Sequence, residues 1–264
     1  MAHKIVSADG HMDLFYLPVE TFTSRVPAHL RERVPRVVDI DGKPTWVGDG
    51  AKMGAHAAWM GRGQMGTHRG RRMVEAGWQP SHPPDPKLRL ADLDLDGVEA
   101  EIIYGIRFVE DSIKDPEVVA ATYRAYNDFI TESCSYNPKR FIGIANIPAS
   151  SAEAASEELG RIGKYGLGLR GAMIDWFNGP EPIWHSMWEP MWVAAAENDV
   201  ALSFQSESGM GRQPADRSVS NRSSKAICRA FRTPRTRRSS RCRPTSVSWR
   251  FFCAAHWSAI LVSR

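Results

Sequence analysis

Between Leu88 and Phe204, helix-type and strand-type runs take turns at nearly constant spacing, and this alternation limits the available folds more than any other feature. Val98–Tyr104, Phe141–Ile147, Leu169–Ile174 and Val200–Phe204 are short apolar runs set among Gly, Pro and Asn, as buried strands are. A further β-type run, His3–Ala8, ends in Asp9, Gly10 and His11. The segments Leu88–Leu95, Pro116 to about Tyr136, Ser151–Tyr165 and Trp188–Asn198 read as helices. Their prolines stand near helix starts, where the missing N–H costs nothing, and Gly166 follows the third of them. Strands joined by helical crossovers lie parallel in one sheet. The expected class is therefore α/β, an incomplete (β/α)8 TIM barrel of about five βα units. Closure takes three more units of roughly 25–30 residues each.

Residues 14–87 interrupt this order with an irregular excursion rich in Pro and Gly, too long for an ordinary loop and expected to be a folded insertion or a lid. The N-terminus runs straight into a strand and has no signal-peptide character. No stretch approaches the roughly 18 apolar residues that span a bilayer, so no membrane partner is expected. Of the four cysteines only Cys134 precedes residue 217, which argues against a disulfide framework and for a cytoplasmic setting.

Chemistry in an α/β barrel gathers at the C-terminal strand ends. Asp9 and His11 lie there, two apart, so that both side chains can leave the same side of an extended chain. A carboxylate beside an imidazole suits a divalent metal; taken alone, it equally suits a polar strand exit. The wider context adds Ser7-Ala8-Asp9-Gly10-His11-Met12-Asp13, then Arg89-Leu90-Ala91-Asp92-Leu93-Asp94-Leu95-Asp96-Gly97-Val98-Glu99-Ala100-Glu101 and Tyr104-Gly105. Tyr126-Asn127-Asp128-Phe129, Asn137-Pro138-Lys139-Arg140-Phe141 and Ile144-Ala145-Asn146-Ile147-Pro148 follow. This series, in this order, closely resembles the amidohydrolase-related family (amidohydrolase 2), metal-dependent barrels that include aminocarboxymuconate-semialdehyde decarboxylase and related aromatic-acid decarboxylases. The resemblance covers residues 3 to about 210.

The resemblance implies a distorted (β/α)8 barrel holding one divalent metal, zinc or alternatively manganese. Its ligands would be the first-strand pair, a histidine after the fifth barrel strand and an aspartate after the eighth, with a further histidine after the sixth assisting. Asp9 and His11 match the first pair. At the fifth strand end stands Gln205, whose neutral amide is a poorer zinc ligand than imidazole. The later two positions have no counterpart, so the catalytic residues stay unassigned. The implied activity is hydrolysis or decarboxylation of a small carboxylate or aromatic substrate, and the residues do not separate the two. An intact family member is compatible with a homo-oligomer.

Other residues have plainer readings. Trp184, Trp188 and Trp192 recur every four residues, as helix packing does. His185 reads as a helix-start histidine rather than a pocket residue. Asp92, Asp94, Asp96 and Glu99 imitate a calcium loop, but Ile103 stands where that loop needs glutamate. His56, His68 and His82 in the excursion could line a pocket mouth. Asp175, after the fourth strand, could touch substrate or stabilise its loop.

From Arg217 onward the charge pattern changes. The last 48 residues carry eleven arginines, one lysine and no acid, whereas residues 1–216 hold the other 22 basic residues and all 30 acidic ones. A basic arm for nucleic acid is one explanation, but Trp249–Val262 is too apolar for a solvated arm. A reading-frame change is the other. Read from the third base of each codon, the stretch around Ala254–Leu261 permits Gly-Ala-Leu-Glu-Arg-Tyr-Pro, similar to the family segment before the sixth strand; only the leucine is forced. The expected division is a barrel part over 1–216 and an irregular, disordered tail over 217–264, out of frame from a point between Asp216 and Cys242. Such a chain is expected to be poorly folded beyond about residue 206 and inactive. The competing readings are a nucleic-acid-binding protein that uses the tail on a degenerate barrel, and a non-catalytic barrel remnant held by a partner.

Overall fold

A computed structural model of the chain describes residues 5–56, 84–107, 109–205, 249–254 and 258–263. Its main sheet is parallel over five strands, β1 (Ile5–His11), β5 (Val98–Tyr104), β6 (Phe141–Ile147), β7 (Gly171–Ile174) and β8 (Ala201–Gln205), neighbours in that order. This is an incomplete TIM barrel of α/β class. The sheet is curled. Tyr104 on β5 and Ser203 on β8, three strands apart, meet side chain to side chain at 3.1 Å. In a flat sheet three spacings would separate them by about 14 Å.

The crossovers form where local chemistry starts and stops them. α1 (Pro86–Asp96) begins with Pro86 in its first turn, beside Asp85, whose carboxylate caps the N–H groups of Lys87 and Leu88. It stops at Gly97, whose φ of 68° a side chain would resist. After the short α2 (Val109–Ser112), α3 (Pro116–Ser135) repeats the device with Asp115 and Pro116. α4 (Ala152–Ile162) starts from Ser151, and α5 (Glu189–Glu197) precedes β8. These helices bury Tyr123, Tyr126, Ile130, Leu159, Ile162 and Met191 against the outer sheet face. Asn127 joins three elements there, α3, α4 and β6, donating to Asn146 O (2.9 Å) and Glu158 Oε1 (2.7 Å) while its own oxygen accepts from Asn146 N.

Several boundaries differ from the sequence reading: β1 runs on to His11 rather than ending at Ala8, α1 spans Pro86–Asp96 rather than Leu88–Leu95, and β8 is Ala201–Gln205 rather than Val200–Phe204. The helix expected to reach Tyr165 ends at Ile162, because the backbone turns extended at Gly163 (φ −65°, ψ −166°); Gly166 then comes so close to the helix that a Cβ there would lie 1.7 Å from Arg161 O. The strand expected from Leu169 begins at Gly171. The tail also differs in part. Trp249–Ala254 (β9) and Ser258–Ser263 (β10) form an antiparallel hairpin rather than irregular chain, and β10 pairs antiparallel with β8. Their aromatic and β-branched content favours strand over coil. The rest of the tail lies outside the described residues, as does much of the excursion, including His68 and His82.

The described excursion holds a three-stranded antiparallel sheet, β2 (Arg36–Ile40), β3 (Lys43–Gly48) and β4 (Ala51–Ala55). Both turns are Asp-Gly pairs with positive φ throughout, 53° and 74° at Asp41-Gly42 and 47° and 79° at Asp49-Gly50. Two successive positive-φ residues match the twist of a two-residue hairpin. Trp46 is fully buried, edge-on to Phe22 at 5.9 Å. Arg33 reaches Asp49 (2.9 Å) and Asp115 (2.7 Å), tying the second turn to the start of α3.

Candidate metal centre

β1 carries the candidate ligands because of what stands behind it. Arg89 of α1 and Glu101 of β5 form a fully buried bidentate pair at 2.8 and 2.7 Å, and Arg89 Nη2 also donates to the carbonyl of His11 at 3.2 Å. Glu101 fills the space a side chain at position 10 would need, since a Cβ on Gly10 would lie 2.0 Å from Glu101 Oε1. Glycine between the two candidate ligands is thus required by packing. The parallel register sets His11 opposite Tyr104, and Met12 N donates to Tyr104 O at 2.9 Å.

On the concave side, His11 Nε2 stands 3.2 Å from Asp9 Oδ1. Asp9 is 65% exposed and His11 19% exposed, so the pair faces solvent from a half-sheltered ledge. Two cis ligands of one divalent ion, each bonded at about 2.1 Å, have about this separation. His11 Nδ1, on the other side of the ring, faces Asp13 Oδ1 at 3.6 Å, and the same oxygen lies 3.7 Å from Arg107 Nε. The His11 ring sits 5.9 Å from that of Tyr104. Tyr104, Ile144 and Met173 form a buried cluster apart from the helix-facing core. The donors fit half of a coordination shell: among the described residues, no group of three or more His, Cys, Asp or Glu is placed to hold a metal ion. Gln205 closes β8, its backbone in register with Ser258.

Asp13, Arg107, Arg89 and Glu101 were not distinguished from scaffold in the sequence, because their roles arise from contacts between elements. Spacing did hold one hint, the carboxylate of Asp13 two positions beyond His11 and thus again on the same side of an extended chain.

The remaining candidates take structural places. Asp175, at the end of β7, accepts from Asn178 Nδ2 at 2.9 Å, and Asn178 also reaches Asp111 at 3.2 Å, which stabilises the loop. His185 Nδ1 accepts from Met187 N at 3.2 Å and so starts a short helical turn. Trp188 is buried and Trp192 packs near Phe204, whereas Trp184 is half exposed. Asp92, Asp94 and Asp96 lie on α1, with Asp94 paired to Arg140 at 2.7 Å. His56 sits 5.8 Å from the Trp46 ring. Burial pushes the Cys134 thiol up to about 12, which leaves it unreactive. No helix among the described residues is long and apolar enough to cross a membrane.

One buried acid lies close to this end of the sheet. Glu110 of α2 is 5% exposed, and its Oε1 accepts from Ala149 N, just past β6, at 2.9 Å. Burial first, with Asp175 nearby adding to it, carries the carboxyl up to about 8, against the opposing effects of the Ala149 N–H, Lys114 and Tyr123.

No protein-family model matches the chain. Among curated proteins, a gamma-resorcylate decarboxylase of Rhizobium sp. is 30% identical over 122 residues, covering 44% of this chain and 36% of the relative. One from Polaromonas sp. is 31% identical over 143 residues, 48% of this chain and 44% of the relative. The 2-amino-3-carboxymuconate-6-semialdehyde decarboxylase of Dictyostelium discoideum is 31% identical over 90 residues, 34% of this chain and 25% of the relative. The chain thus matches less than half the length of each of these relatives. Among solved structures, an amidohydrolase from Mycobacterium avium subsp. paratuberculosis superposes with a TM-score of 0.58 at 18% identity, covering 77% of this chain and 59% of that one. That likeness concerns the fold.

Proposed function

We propose that the chain belongs, over the part it shares with its relatives, to the amidohydrolase-related family and acts as a metal-dependent carboxy-lyase on a small aromatic or otherwise unsaturated carboxylate. Metal-dependent hydrolysis at the same site is the second reading. The observation that carries the metal reading is the approach of His11 Nε2 and Asp9 Oδ1 to 3.2 Å at the C-terminal end of β1. The names of the curated relatives, all decarboxylases, favour the lyase over the hydrolase.

Asp9 and His11 would hold the divalent cation, zinc or manganese, and when bound it supplies the positive charge that draws a substrate carboxylate and offsets charge developing in the reaction. Arg107 adds positive charge near the same ledge. Ile144 and Met173 offer an apolar wall to a planar ring, and the Tyr104–Ser203 hydroxyl pair a polar floor. With two donors from the described residues, one fewer than the three protein ligands usual in catalytic zinc sites, weak metal binding and low turnover are the expected behaviour. Residues 1–216 would form the barrel part and residues 217–264 a basic, out-of-frame tail, with no role for nucleic acid or membrane and a cytoplasmic setting.

The test is carbon dioxide release from gamma-resorcylate by the purified chain supplied with Mn2+ or Zn2+. Asp9→Asn and His11→Ala should abolish both metal uptake and any release. Release that survives complete chelation would refute the metal reading, and a hydrolytic product from an amide or ester analogue would favour the second reading.

A further inference from the structure

We infer that the protein holds one internal water molecule behind the end of β5, bound by Arg89 Nη1, Tyr126 Oη and Asn146 Oδ1. The site owes nothing to the metal reading. Each of the three atoms is shut off from solvent and reaches no hydrogen-bond partner among the described residues, in side chains 1%, 0% and 3% exposed. Buried polar groups are costly when left so, and ordered water is their usual partner where the protein supplies none. The three come from α1, α3 and β6, which meet around Gly105, the residue after β5. A Cβ on Gly105 would lie 1.9 Å from Asn146 Oδ1, and 2.6 and 2.8 Å from Cε1 and Cζ of Tyr126, so both groups crowd one point. Arg89 arrives from the β1 side. Its Nη2 holds the His11 carbonyl, and His11 is in register with Tyr104, next to Gly105. Burial, with Cys134 and Asp13 adding to it, raises the Tyr126 phenol, and the charge of Arg89 acts against that rise.

Donor and acceptor roles select the occupant. Nε and Nη2 of Arg89 are committed to Glu101 and His11. Nδ2 of Asn146 donates to the Ile106 carbonyl at 2.8 Å, which fixes the way the amide points. What is left is a guanidinium N–H that can only donate, an amide oxygen that can only accept, and a hydroxyl that does either. A cation would be repelled by Arg89, and a simple anion such as chloride has no hydrogen to give Asn146. Water accepts from Arg89, donates to Asn146 and bonds Tyr126 in either sense, which makes the three bonds usual for an internal water. So placed, it ties α1 and α3 to β6 and backs the arginine that holds the end of β1.

A high-resolution crystal structure of the 264-residue protein should show one water within about 3.2 Å of all three atoms. A direct bond between Tyr126 Oη and Asn146 Oδ1, or no ordered density among the three atoms, would overturn the assignment. In solution, 17O magnetic relaxation dispersion counts the waters that stay inside a protein. Tyr126→Phe should lower that count by one. Tyr136→Phe, at the exposed C-terminal cap of α3, should leave it unchanged. Near-UV circular dichroism matching the wild type shows that a lower count reports the site and not a loss of packing. A count in Tyr126→Phe equal to that of the wild type, or an equal drop in Tyr136→Phe, would sink the inference.

Discussion

Replacing Glu110 by glutamine should change how the stability of this protein depends on pH. The carboxyl is buried, accepts the Ala149 N–H through one oxygen, and has Asp175, Asp111, Lys114 and Tyr123 as its titratable neighbours. Burial is the chief cause that carries it from the ordinary 4.5 up to about 8, and it also raises the Tyr123 phenol. The native state therefore prefers the protonated acid. Its contribution to stability is complete below the unfolded value of 4.5, declines as pH rises, and is gone above about 8. At about 1.4 kcal/mol per pH unit, the interval sets a ceiling of about 5 kcal/mol, and partial water entry should leave roughly 2–3. Glutamine keeps an oxygen for Ala149 and cannot ionise. Urea unfolding at intervals from pH 5 to 9, followed by tryptophan fluorescence, should show the wild type losing about 2–3 kcal/mol more than Glu110→Gln across that range. Parallel curves for the two proteins would refute the reasoning.

Arg89→Met should cost about 3–5 kcal/mol in chemical denaturation, because it leaves Glu101 buried and charged without its partner; adding Glu101→Leu should restore part of the loss. Gly10→Ala should destabilise by about 1–3 kcal/mol, since the new methyl would collide with the Glu101 carboxylate, and an unchanged denaturation midpoint would contradict the packing account. Deleting residues 217–264 should leave any nucleic-acid binding unchanged at physiological salt; loss of a strongly salt-dependent affinity would revive the basic-arm reading. The coding DNA should contain a one-base change between the codons of Asp216 and Cys242 whose reversal opens a frame with histidine and aspartate at later strand ends.

The parallel units were legible because each is a local pattern. Val98–Tyr104 and Phe141–Ile147 could be delimited to the residue, being apolar runs closed by Gly or Pro, and α3 was announced by Asp115-Pro116. The small sheet was harder to see. Arg36–Ile40 and Lys43–Gly48 mix charged, proline and apolar residues without clean alternation, although Asp41-Gly42 and Asp49-Gly50 were a hairpin signal in plain view. The same division runs through the site. Asp9 and His11 stand two apart in one strand and could be paired from sequence. Arg89 reaches His11 from 78 positions away and Arg107 meets Asp13 across elements, so neither could be placed without the fold.

The strand order carries a consequence for how the protein assembles. β5, β6 and β7 each pair with the next strand along the chain, through contacts such as Glu101 with Phe141, Ile144 with Gly171 and Gly171 with Ala201. β1 must instead find β5 across the whole excursion, Ile5 beside Val98. Chain entropy opposes such a distant closure more than the neighbouring ones, so the sequential strands should form first and β1 should dock late. Asp9, His11 and Asp13 travel on or just beyond that late strand. An ion bound between Asp9 and His11 would act on the last step of folding, holding in place the segment most ready to leave.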